Sequence, residues 1–237
     1  MRLSSIEFIA EGGCISIKAI VVDVDGTLTD SKRKIQIHGI EALRRVQEKG
    51  YTIMIASGNV LPVAYGLALF IGIEGPVIAE NGGIVSFREK IYKINSIEQP
   101  LRAYEYLKSK MPVERLFTDK WRETEVALKR SADLEEVKKT LKDWNVTIEA
   151  TGFAIHIMEL GHSKMNGVRK AAEIIGIDTE EIAAFGDSDN DVSMIESCGI
   201  GVAVSNASEA AKRAADYVCK RPHADGVIEG LEWLGLL

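Results

Sequence analysis

The chain reads as an α/β protein, a Rossmann-like parallel-sheet core with an inserted small α+β cap domain. Three observations predict this. Apolar, largely β-branched runs at residues 17–22, 51–56 and 182–185 have the composition of strands covered on both faces. Amphipathic stretches separate them, the alternation expected of parallel strands joined by right-handed crossovers. Between Gly83 and residue 158 the alternation gives way to short strands and charged helices without a continuous apolar run, which predicts a small unit with one solvent-facing sheet face.

Taken in order, the strand at 17–22 runs into Asp23-Val24-Asp25-Gly26-Thr27. Ile40, Leu43 and Val46 recur at helical spacing within 38–49, and Gly50 supplies the stop. The strand at 51–56 ends at Ser57-Gly58-Asn59, a helix covers 60–71, and a strand at 77–79 meets Glu80-Asn81-Gly82-Gly83. Residues 84–87 and 91–94 flank a polar turn and read as a hairpin. A helix over 97–110, a strand at 125–129, a helix over 132–143 and strands at 146–149 and 154–158 complete the insert. The core pattern then resumes with a helix at 164–175, a strand at 182–185, a helix at 189–197, a strand at 200–204, a helix at 207–214 and a strand at 217–218. The expected organisation is core at 17–83, cap at 84–157 and core again at 158–237, preceded by an N-terminal extension, 1–16, of unknown role. For that extension an edge strand around 6–9, an unstructured lead and a misplaced start all stay open.

The 237 residues are 46% hydrophobic, enough for a sizeable core, and carry a net charge of −6 without a dense Lys/Arg stripe. A nucleic-acid surface is not expected. Cys14, Cys198 and Cys219 show no C-x-x-C spacing, so neither a zinc site nor a disulfide framework is expected, and a reducing, cytoplasmic setting is. No apolar stretch reaches the ~18 residues of a membrane helix. Glu7 and Glu11 break up the first sixteen residues, which lack the apolar run of a signal peptide. The expected partner is a small molecule, with no nucleic acid and no membrane; a homodimer is left open.

Asp23 and Asp25 stand two residues apart at a strand's carboxyl end, where open α/β sheets bind ligands, so both side chains leave one face. Ser57 follows the second strand, and Lys164 opens the helix after the insert. Asp187 and Asp191, in Gly186-Asp187-Ser188-Asp189-Asn190-Asp191, are spaced i, i+4, which a helix would present on one side. Carboxylates in this number suit magnesium, which keeps waters and substrate phosphate oxygens in its shell. Singly, each residue has a plainer reading: Asp187 as a helix cap, Lys164 as a solvated lysine, Ser57 as a turn residue. Thr27 reads as a brace for its loop, Asp189 as an exposed acid and His156 as a packed residue. Calcium loops fail: the sixth and twelfth positions are Leu28 and Lys34 from Asp23, and Val192 and Cys198 from Asp187. Neither a G-x-S-x-G elbow nor a phosphate-binding P-loop is present.

Asp-x-Asp-x-Thr, a Ser after the second strand, a Lys beyond an insert and Gly-Asp-x-x-x-Asp, in that order, resemble the haloacid dehalogenase superfamily of phosphatases from residue 17 onward. The resemblance implies a magnesium-dependent phosphomonoester hydrolase acting through an aspartyl-phosphate. It makes Asp23 the nucleophile and Asp25 the general acid/base. Lys164 and Ser57 would bind the phosphoryl group, and magnesium would sit on Asp23, the Asp25 backbone carbonyl, Asp187 and Asp191. The insert resembles the cap of the sugar-phosphatase branch, and 2-phosphoglycolate is the favoured substrate, with sugar or glycerate phosphates as alternatives. A phospho-acceptor signalling module is the competing class, although such modules lack an insert of this size. The substrate carboxylate would need a cation, for which Arg115, Lys120, Arg122, Lys129 and Arg130 of the cap are candidates.

Overall fold

The computed structural model describes residues 6–10 and 13–237; the remainder of the N-terminal extension lies outside the described residues. β1 (Ile6–Ala10) and β2 (Gly13–Ile17) pair antiparallel as a separate two-stranded ribbon rather than adding an edge to the core sheet. Ile17 therefore belongs to the ribbon, and the first core strand is β3 (Ala19–Asp23), buried along its whole length.

The first half of the core continues with α1 (Ile37–Glu48), β4 (Thr52–Ala56), α2 (Leu61–Ile71) and β5 (Val77–Ala79). β6 (Ile84–Phe87) and β7 (Lys90–Lys93) form the expected hairpin, but it is not part of the insert. β6 pairs antiparallel with β5 and extends the large sheet, so the structural insert starts later than residue 84. A short alternating hairpin looks the same in sequence whether it stands alone or adds an antiparallel edge to a parallel sheet. Burial of Ile84 and Val85 on opposite faces distinguishes the two cases.

The insert contains α3 (Glu98–Lys110), β8 (Glu125–Lys129), α4 (Leu134–Thr140), β9 (Val146–Ala150) and β10 (Ala154–Glu159). Its antiparallel sheet has the order β8-β10-β9. Ala103, Tyr104 and Leu107 of α3 pack on Val126, Leu128, Ile155 and Ile157, giving the insert a core of its own.

The chain returns through α5 (Lys164–Ile175), β11 (Ile182–Gly186), α6 (Val192–Ser197), β12 (Ile200–Ala203), α7 (Glu209–Ala214), β13 (Tyr217–Val218) and α8 (His223–Trp233). The large sheet runs β13-β12-β11-β3-β4-β5-β6-β7, parallel from β13 to β5. Ile20 and Val22 face a layer built from α1, α2 and α8, while Ala19 and Val21 face α5 and α6. The crossovers leave β3 toward β4 on one side and return to β11 on the other. That reversal is the topological switch at which such sheets open a crevice. α8 is absent from the sequence reading because Gly226 and Gly230 look like helix breakers. They are packing positions: a Cβ at Gly230 would lie 2.5 Å from the Phe185 ring. Among the described residues no helix is long and apolar enough to cross a membrane.

Candidate active site

The carboxyl ends of β3, β4 and β11 converge at the switch point, under the β9–β10 loop of the insert. A cavity of about 300 Å³ opens there, its wall including Asp23, Asp25, Arg33, Phe153, Asp187 and His223. Asp23, Asp187 and Asp191 each bring a carboxylate oxygen within 4.8 Å of the others. The i, i+4 spacing acts differently from the helical expectation. A 3₁₀ turn occupies Asp189–Asp191 and α6 begins only at Val192, so Asp187 precedes the helix. The loop is curled by Asp191, whose Oδ2 accepts the backbone N–H groups of Asp187 and Ser188.

Lys164 is 1% exposed, and its Nζ donates to Asp23 Oδ1 at 2.5 Å and Asp191 Oδ1 at 2.6 Å. Burial alone would discharge this ammonium, but Asp191 and Asp23 outweigh burial and its pKa rises. Burial and the Asp191 charge push Asp23 well above the ordinary carboxylate range, with Lys164 opposing them. Asp187 is pushed up to about 6 by burial and by Asp191, against a 3.0 Å hydrogen bond from Thr27 Oγ1. Thr27 is thus a brace for Asp187.

Among the described residues Asp23 Oδ2, which is buried, has no hydrogen-bond partner. Asp191, in contrast, has protein partners on both oxygens. Three clustered carboxylates with an unsatisfied buried oxygen are a donor set that fits a hard divalent cation. Gly26 makes the approach possible. It sits at φ +101°, and a Cβ there would lie 2.3 Å from Asp187 Oδ2.

Asp25 lies apart from the acid triad. Asn59 Nδ2 donates to its Oδ2 at 2.8 Å and Arg33 Nε to its Oδ1 at 2.8 Å. Ser57 is buried behind the cavity wall, its Oγ accepting from the Asn59 backbone N–H at 3.0 Å and from Asn59 Nδ2 at 3.2 Å. Its hydroxyl hydrogen is left to donate.

A polar chain the sequence reading missed joins the insert to this loop. Arg122 is buried, donates to Glu125 and reaches the Gly58 carbonyl at 2.9 Å. Glu125 also accepts from Asn81 Nδ2 at 2.9 Å, and Asn190 Nδ2 donates to Asn81 Oδ1 at 3.0 Å. His156 is packed, as expected, and bonds Glu125 through Nδ1 and Thr151 Oγ1 through Nε2, both at 3.1 Å. Burial, with Arg122 and Lys164 nearby, holds its pKa well below 6.5. A neutral ring suits this place: Nδ1–H donates to a carboxylate already paired with Arg122, and Nε2 accepts from the threonine hydroxyl. Glu80 and Asn81 adopt left-handed backbone, φ 50° and 52°, held by hydrogen bonds to Glu80 from the N–H groups of Glu123 and Thr124.

None of the five cap cations lines the cavity. Arg115 pairs with Asp119, Lys129 with Glu114, and Lys120 stacks between Phe117 and Trp121. Asp189 is exposed, whereas Asn190 is buried at the cavity wall.

The sequence matches the family described as haloacid dehalogenase-like hydrolase over residues 20–120 and 88–231, and the chain belongs to that family. Its relatives sharpen the comparison. It is 40% identical over 223 residues to a phosphoglycolate phosphatase of Archaeoglobus fulgidus, covering 93% of this chain and 98% of that one. It is 36% identical over 215 residues to a phosphoglycolate phosphatase of Methanothermobacter thermautotrophicus, covering 91% and 97%. A crystal structure of a Thermoplasma acidophilum protein superposes with a TM-score of 0.87 at 31% identity, covering 93% of this chain and 99% of that one. A haloacid dehalogenase sugar phosphatase shares the fold at a TM-score of 0.76 and 24% identity, covering 92% and 99%.

Proposed function

We propose that this hydrolase removes phosphate from a small phosphomonoester, 2-phosphoglycolate being the favoured substrate, through an aspartyl-phosphate on Asp23. One observation carries the reading: a buried, unpaired Asp23 oxygen at the head of a three-carboxylate cluster, on the wall of a cavity sized for a small ligand. The archaeal relatives named phosphoglycolate phosphatase support the substrate.

Asp23 attacks phosphorus and the ester bond breaks; Asp25 gives its proton to the departing alkoxide. Asp25, now a carboxylate, takes a proton from the water that cleaves the acyl phosphate and regenerates Asp23. Asn59 and Arg33 fix the Asp25 carboxyl for both transfers. Lys164 holds Asp23 in place and offsets charge gathering on the phosphoryl oxygens, and the Ser57 hydroxyl donates to one of them. Magnesium is the cation proposed for the site; Asp23, Asp187 and Asp191, with the Asp25 carbonyl, would hold it, and bound there it would neutralise charge between two anions brought together. Asp191 also organises the loop, through Lys164 and two backbone N–H groups. With Cys198 and Cys219 both free and buried, a cytoplasmic enzyme is the setting proposed.

The test is phosphate release from a phosphomonoester panel by the wild type, with magnesium and with chelator, and by Asp23→Asn. The expected result is metal-dependent release with the highest kcat/KM on 2-phosphoglycolate, and loss of at least about 10³-fold in the variant. An Asp23→Asn protein releasing phosphate at the native rate refutes the nucleophile; a sugar phosphate preferred over 2-phosphoglycolate refutes the substrate.

A further inference from the structure

Building on the phosphomonoester reading above, we infer that Arg33 is the specificity residue that receives a carboxylate on the substrate's leaving group. The substrate class is a phosphomonoester whose ester carbon bears a carboxylate.

The cavity needs a cation at each end for such a ligand. Its wall is acidic, with Asp23, Asp25, Asp30 and Asp187, and Lys164 stands behind Asp23 on the phosphoryl side. Arg33 is the one Arg or Lys among the described residues that line it. Its Nε is on Asp25 Oδ1, and its Cζ lies 4.5 Å from the centroid of the Phe153 ring. One face of the guanidinium is therefore covered by the β9–β10 loop, while the two terminal amino groups have no hydrogen-bond partner among the described residues. Planar, doubly donating and held on an aromatic ring, that group has the form that binds a carboxylate bidentately.

The reach is right. Asp25 protonates the ester oxygen, so it lies within hydrogen-bond distance of that atom. In an α-phosphooxy acid the carboxyl carbon is two bonds further, about 2.5 Å. A guanidinium fixed on Asp25 by Nε thus meets the carboxylate with its free edge.

The backbone is built for this aim. Arg33 adopts φ +60°, unusual for a residue with a side chain. Asp30 enforces it: Oδ1 accepts the N–H groups of Lys32 at 2.8 Å and Lys34 at 2.9 Å, and its carbonyl accepts from Arg33 N–H at 2.9 Å. The Thr29–Ile35 bridge closes the turn. The turn so held carries Arg33 at the cavity mouth.

The test compares kcat/KM for 2-phosphoglycolate and for 2-hydroxyethyl phosphate, in which CH₂OH replaces the carboxylate, in the wild type, Arg33→Met and Arg33→Lys. Thermal unfolding checks each fold. The wild type is expected to favour the acid. Arg33→Met is expected to slow both substrates through the lost Asp25 contact and, beyond that common loss, to lower the acid-to-alcohol ratio about 30-fold, with Arg33→Lys falling between. Equal losses on both substrates, or an unchanged ratio, overturn the assignment while leaving phosphatase activity standing. A wild type that releases phosphate from both without preference overturns the carboxylate class. Release from neither overturns the phosphomonoester reading and this inference together.

Discussion

Replacing Lys164 by Met removes a cation locked between two buried carboxylates, and the structure sets the size of the loss. The ammonium lies 2.5 Å from Asp23 and 2.6 Å from Asp191. At an effective dielectric near 20, each contact is worth about 6 kcal/mol before desolvation is counted. Several kcal/mol of ammonium desolvation return on its removal, but the two acids are left facing each other, so the net destabilisation is about 3–5 kcal/mol. Urea unfolding followed by circular dichroism in metal-free buffer at pH 7.5 measures it. Phosphate release falls about 10²–10³-fold in the same variant. Adding Asp191→Asn removes one of the stranded charges, so the double variant recovers about 2 kcal/mol over Lys164→Met alone. A single variant within about 1 kcal/mol of the wild type, or effects that simply add, would refute the account of Lys164 as the charge centre of the site.

Gly26→Ala combines a left-handed backbone with a Cβ only 2.3 Å from Asp187 Oδ2. It is expected to cost about 1–3 kcal/mol and, by displacing that carboxylate, about 100-fold in kcat/KM; thermal unfolding and phosphate release read the two effects. His156 gives a pH dependence whose sign follows from its depressed pKa. The unfolded chain takes up a proton below about pH 6.5 and the native ring does not, so stability falls as pH drops below that value, at up to about 1.4 kcal/mol per unit. Urea midpoints at pH 7.5 and 5.5 should show this slope reduced in His156→Gln; an identical slope in both proteins contradicts the neutral buried ring.

What was legible in the sequence was whatever sits at a strand end in a short contiguous motif. Asp23, Asp25 and Asp187 stand out as candidates because buried β3 and β11 stop beside them, and Lys164 because a helix opens on it. Arg33 does not, since nothing in Asp30-Ser31-Lys32-Arg33-Lys34 tells which of three cations a left-handed turn aims inward. The choice depends on Asp30 capping two backbone N–H groups, a three-dimensional fact. The sequence offers Arg122 only as one of five candidate cap cations and His156 only as a packed residue, and it does not show that they form a chain with Glu125, because their partners Gly58, Asn81 and Thr151 are distant or of no distinctive type. The sequence places the hairpin at 84–94 with the insert, whereas it pairs with β5, because pairing partners, unlike periodicity, are not written locally.

The hydrogen-bonded boundary between Glu80-Asn81 and residues 122–125 has a bearing on how ligands come and go. Swinging the two lobes apart there would break several interior hydrogen bonds at once, each worth about 1 kcal/mol net. By contrast, Arg33 and Phe153 touch only as cation and ring, at the rim of the cavity. The looser of the two contacts is therefore the one between the loop that carries Phe153 and the Arg33 guanidinium.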